Sequence, residues 1–114
     1  MTVKTLFYKP ENGWAADFIP FYKDGVYYLY YLHDYREAAA HGEGTPWFLV
    51  TTKDFVHFEE HGEILARGTP EEQDLYVFTG CVFEADEAMT GAKYHLFYTG
   101  HNPHYISQGK PQEA

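Results

Sequence analysis

The chain has a single cysteine, Cys81, so no intrachain disulfide can form and a paired-cysteine zinc site is excluded. Positive charge is scarce as well. Eight Lys and Arg stand against 17 Asp and Glu, a formal net charge of -9, which disfavours nucleic acid and anionic membrane surfaces as partners. No apolar run approaches the roughly 20 residues of a membrane span, and Met1-Thr2-Val3-Lys4-Thr5 lacks the apolar centre of a signal peptide. A cytoplasmic location is therefore expected, with loss of an export signal as the alternative. Helical periodicity is nearly missing, and no HExxH or similarly constrained spacing makes a metal site of the 7 His. Neither a metal nor another cofactor is expected.

What the chain does have is aromatic side chains, 19% of residues, with 11 Tyr and 9 Phe, and 45% hydrophobic residues. At 114 residues it holds one domain at most. Period-2 runs of aromatic and β-branched residues, bounded by Gly, Asp or Pro, give strands over Phe18–Tyr22, Val26–His33, Pro46–Thr52, His57–Ala66, Val77–Glu84 and Lys93–Gly100. Their order predicts an antiparallel meander. In the second strand Val26, Tyr28, Tyr30 and Leu32 face one way and Tyr27, Leu29, Tyr31 and His33 the other, so both faces are bulky and the strand belongs within a stack of sheets. Tyr35–His41 is expected as a loop with about one helical turn.

The chain also repeats itself. Tyr27-Tyr28-Leu29-Tyr30-Tyr31 returns as Tyr94-His95-Leu96-Phe97-Tyr98, and the copies end near His33 and His101. A four-stranded antiparallel repeat is the blade of a β-propeller, which closes with about 4 to 8 blades. Residues 1–66 read as a first blade and 67–114 as an incomplete second, with the polar stretch after His101 breaking off in mid-hairpin. Open edges of such blades recruit other chains, so a homo-oligomer is expected.

Trp14-Ala15-Ala16-Asp17, ahead of the Asp24-Gly25 turn, places one carboxylate beside a large aromatic. A carboxylate can act on a glycosidic bond while the ring packs on the sugar; the plainer alternative makes Asp17 a turn or strand-start residue. Tyr28-Leu29-Tyr30-Tyr31, Thr51-Thr52-Lys53-Asp54-Phe55-Val56-His57-Phe58, Phe78-Thr79-Gly80-Cys81 and Phe97-Tyr98-Thr99-Gly100 follow in order. Together these segments resemble the amino-terminal blades of glycoside hydrolase family 32, the β-fructosidase-like enzymes on a five-bladed β-propeller; family 43 shares the propeller and its leading aspartate.

The resemblance implies an all-β fold covering about two blades, and a glycosidase acting on an oligosaccharide. It aligns Asp17 with the catalytic aspartate, a nucleophile in family 32 and a general base in family 43. It also implies that Trp14 and Trp47 line the sugar pocket and that Phe78 and Thr79 stand at the tightest subsite. His33 and Asp34 would replace polar contacts that many members make with glutamine and asparagine. Ala16 and Phe18 depart from the family's asparagine and proline around the aspartate. The family's Arg-Asp-Pro segment and its Glu-Cys acid/base do not occur among these 114 residues, so the chain alone is expected to be inactive. A carbohydrate-binding or structural segment is the alternative. Cys81 is expected as a buried packing residue, and Glu71, Glu72 and Asp74 as part of a solvated loop, with Asp74 facing the pocket as the alternative.

Overall fold

A computed structural model describes residues 8–110; the outermost residues of both expected blades lie outside them. Six strands, β1 (Trp14–Lys23), β2 (Val26–Asp34), β3 (Trp47–Thr52), β4 (Phe58–Leu65), β5 (Tyr76–Glu84) and β6 (Tyr94–His101), alternate with three short helices, α1 (Ala38–His41), α2 (Glu87–Thr90) and α3 (Pro103–Ser107). The first four strands form one antiparallel sheet in the order β1-β2-β3-β4, and β5 pairs with β6 in a second. This is the meander that the alternating aromatic runs predict. Among the described residues no helix is long and apolar enough to cross a membrane.

Local chemistry sets the turns. Asp24 and Gly25 both have positive φ, 50° and 83°, the two-residue geometry whose twist matches the strands it joins, and Lys23 pairs with Val26 across it. At the second hairpin Asp86 caps α2, its side chain accepting from the Ala88 N–H, and Gly91 ends the helix in a left-handed conformation. The polar stretch after His101 folds as α3, with Asn102 as its cap and Pro103 in its first turn.

The two faces of β2 bury different partners. Leu32 joins Ile19, Trp47 and Val77 in a buried cluster, against which Tyr30, Leu65, Phe78, Val82 and Leu96 pack; this cluster holds the two sheets together. Leu29, Tyr31 and Val50 form a second cluster on the opposite face, beneath Tyr8, Tyr27, Phe48 and Phe58. Period-2 alternation along one strand therefore feeds two cores. The sheets meet where β5 lies against β1 and β2. An ion pair from Lys23 to Glu84, 2.7 Å, closes the far end of that contact.

Much apolar surface remains outside these cores. Phe18, Tyr22 and Phe55 are exposed on one outer face, and Phe83 and Phe97 stack in parallel on the other, 5.6 Å apart. The radius of gyration, 16.1 Å, exceeds the about 13 Å of a compact chain this long. Cys81 shares the outer face of the second sheet. The expected burial of its thiol is thus corrected: Val82, the next residue, takes the inward position, and Cys81 is exposed.

Trp47 is the centre of the sheet-to-sheet contact, fully buried, with its indole N–H donating to the Phe78 carbonyl at 3.0 Å. Trp47→Ala is expected to lower the unfolding free energy by about 3–5 kcal/mol, measured by urea titration, because it opens a large void and strands the Phe78 carbonyl.

Candidate active site

Asp17 stands out by its backbone. Its φ is 44°, in the left-handed region, and the pairing of β1 with β2 slips between Ala16 and Ile19, so a bulge interrupts the ladder at Asp17 and Phe18. Bulges re-aim side chains, and strained non-glycine backbone clusters at functional sites. Ile19 is buried between the sheets and Phe18 packs on Tyr31 across the opposite face, ring centroids 5.4 Å apart, while Asp17 is left exposed. The packing of Ile19 and Phe18 fixes the backbone at Asp17 and leaves its side chain in solvent.

The second sheet repeats the device. Pairing of β5 with β6 slips between Phe78 and Gly80, which puts Thr79 at a bulge. Thr79 is exposed, and the Phe78 ring is half-buried, stacked on His101 at 5.1 Å. Asp17 and Thr79 thus lie at matching irregularities on β1 and β5, the strands through which the sheets touch.

Trp14 and Asp34 face each other across the β1–β2 ladder. The Asp34 carboxylate accepts from the Arg36 backbone N–H at 2.8 Å and pairs with the Arg36 side chain at 3.4 Å. The Trp14 ring is 49% exposed, with Lys9 4.2 Å and Arg36 5.6 Å from its centre. Beside Asp34 lies a small cleft of about 90 Å³ shared by Tyr35, Glu43, Thr45 and Tyr76. Glu43 accepts from the Tyr76 hydroxyl at 3.1 Å and lies 2.7 Å from His104 Nε2; the His104 hydrogen bond holds its carboxyl below the usual range.

Two residues expected at the sugar, Trp47 and His33, are buried. Trp47 meets protein on every side, so its ring offers no face to a ligand and serves the inter-sheet core. His33 is 3% exposed, stacked on Phe48 at 4.1 Å, with Nε2 facing the Asn12 carbonyl at 3.3 Å. Period-2 alternation places the His33 ring on the same face as Tyr31, but depth follows from which strand lies above, and one strand's sequence does not carry that.

Asn102, Glu43 and Tyr76 are polar residues that sequence reasoning did not single out. Asn102 is fully buried and saturated, its amide donating to the Pro70 and Glu72 carbonyls while its oxygen accepts from the His104 N–H. It ties the loop between the sheets to the end of β6; the Asn102-Pro103 pair after a strand was the available signal. Asp74, in the acidic loop, accepts from the Tyr98 hydroxyl at 2.9 Å. Among the described residues no group of three or more His, Cys, Asp or Glu is arranged to hold a metal ion.

Left-handed backbone costs about 1–2 kcal/mol for a residue with a Cβ, and glycine escapes it. Asp17→Gly is therefore expected to raise the unfolding free energy by about 0.5–1 kcal/mol, against a loss of similar size or more for Asp17→Val, in denaturant titrations of the two variants.

A search among curated proteins finds no match. The family model described as the Glycosyl hydrolases family 32 N-terminal domain matches residues 7–113, nearly the whole chain and all six strands. Order of motifs, antiparallel sheets and the family match agree: the chain belongs to glycoside hydrolase family 32, and its sheets are part of that family's β-propeller.

Proposed function

We propose that the chain supplies the nucleophile-bearing side of a β-fructosidase-type glycosidase that cleaves O-glycosidic bonds of oligosaccharides, with Asp17 as the attacking carboxylate. The observation that carries this reading is the Asp17 bulge, which holds an exposed carboxylate in a strained conformation three residues from Trp14.

In a retaining reaction the ionised carboxylate attacks the anomeric carbon while a protonated carboxyl about 5–5.5 Å away gives its proton to the leaving oxygen. Trp14 supplies an apolar face for the sugar, and Asp34, Phe78 and Thr79 supply polar and shape contacts at its rim. His33 and Trp47 support that surface from beneath. The acid/base carboxyl is the missing part, since these residues include neither a Glu-Cys nor an Arg-Asp-Pro segment. We assign residues 1–66 to one blade and 67–114 to part of the next, and place the protein in the cytoplasm.

The open faces favour a second reading, in which the chain binds sugar or assembles without catalysis. Phe18, Tyr22 and Phe55 on one side, Phe83 and Phe97 on the other, and the edge of β6, which pairs only with β5 among the described residues, are surfaces that recruit protein. Light scattering at micromolar concentration is expected to give a mass above that of the monomer; a monodisperse monomer counts against assembly.

The 114-residue chain is expected to release no sugar from sucrose, inulin or an aryl fructofuranoside. Turnover that disappears in Asp17→Asn would show that the acid is present after all. Fructose added to the ¹⁵N-labelled chain is expected to move the Trp14 indole resonance, and the absence of any shift at saturating sugar removes Trp14 from the site.

A further inference from the structure

The Asp17 strand begins at a turn that one buried histidine holds. His33 lies opposite Ala15 in the ladder, and its ring is fixed between Phe48, stacked at 4.1 Å, and Tyr35, edge-on at 4.4 Å. Nε2 points at the Asn12 carbonyl, which can only accept, so the proton must sit on Nε2. Nδ1 is then a bare lone pair, and it meets no hydrogen-bond partner among the described residues. The contact from the turn is equally close: a Cβ on Gly13 would come within 2.8 Å of His33 Nε2 and 2.6 Å of the Asp34 carbonyl oxygen. Gly13 is the residue before Trp14.

We propose that His33 is a positioning residue for the Trp14 and Asp17 site: its neutral ring, with the proton on Nε2, clamps the Asn12–Gly13 turn, and protonation of the ring releases the turn and displaces Trp14. That this surface binds sugar rests on the function proposed above; the clamp is independent of any sugar.

The reason is desolvation. A proton added to Nδ1 makes a charged N–H with no acceptor inside an aromatic stack, so the ring must swing out toward the adjoining cleft of about 240 Å³ to be solvated. Few charged or titratable groups surround it. Asp34 and Tyr35 follow it in the chain, Tyr31 precedes it on β2, Phe48 comes from β3, Glu60 from β4 and His41 from α1, with Glu11 at the cleft. Burial pushes the His33 pKa down; the Asn12 carbonyl, Asp34 and Glu60 oppose this, and His41 adds to it. A histidine depressed in the fold stabilises it fully above its unfolded value of about 6.5, and this contribution is lost as pH falls below that value toward the folded one.

Histidine ring ¹⁵N spectra of the 114-residue chain, recorded from pH 8 downward, test the clamp without substrate. At pH 8 His33 is expected as the Nε2–H tautomer. As the pH falls, its ring, the Gly13 amide and the Trp14 indole are expected to move together, with one shared midpoint below the ordinary histidine value of about 6.5. His33→Gln places a carboxamide donor near the Asn12 carbonyl, so Gly13 and Trp14 should keep their pH 8 positions and lose the titration. His33→Phe keeps the stack and loses the donor, so Trp14 should be displaced at every pH. An Nδ1–H tautomer, or a Trp14 resonance that stays fixed while His33 titrates, overturns the proposal. So does a midpoint that persists in His33→Gln, which assigns it to His41 or a carboxylate. No sample contains sugar, so an inactive Asp17 leaves all these results unchanged.

Discussion

Everything in the molecule depends on the contact between its two sheets, and that contact has Trp47 at its centre. Ile19, Leu32 and Val77 close around the indole, and its N–H satisfies the Phe78 carbonyl at the point where β5 departs from regular pairing. A bulge frees backbone groups from the ladder, and a freed carbonyl in an apolar setting is costly unless something donates to it. One side chain therefore fills the core and stabilises the irregularity that presents Thr79. Packing and site geometry share a residue.

The same economy appears on β1. Ile19 is drawn between the sheets and Phe18 onto Tyr31, so the two residues after Asp17 are pulled to opposite faces. The bulge and the positive φ of Asp17 follow where the strand re-registers against Leu32 and Tyr30. Ahead of it, Asn12 and Gly13 rest on His33 and Asp34. The backbone at Asp17 is thereby held on both sides, while its side chain stays exposed.

Outside the two cores the chain keeps rings such as Phe55, Phe83 and Phe97 in solvent. Propeller architecture gives the physical reason, since each blade buries one face against the blade before it and the other against the blade after it. A strand such as β2, apolar on both faces, suits that position.

Alternation carried much of this in the sequence. The doubled aromatic faces of Val26–His33, the Asp24-Gly25 turn and the return of the motif at Tyr94–Tyr98 were enough to predict the meander and the blade, because pleat and turn geometry are local properties of the chain. Asp17 was legible as a carboxylate beside Trp14, and its family position came with the order of the motifs. Depth was not legible. Trp47 and His33 read as ligand contacts while the fold buries them, and Cys81 read as core while the fold exposes it. A strand's sequence fixes which residues share a face; whether a face is covered depends on where a strand some 30 residues away comes to lie, as Val77 does over Ile19 and Trp47. The bulges at Asp17 and Thr79 belong to the same class, since a slip in register is decided between two strands and is written in neither.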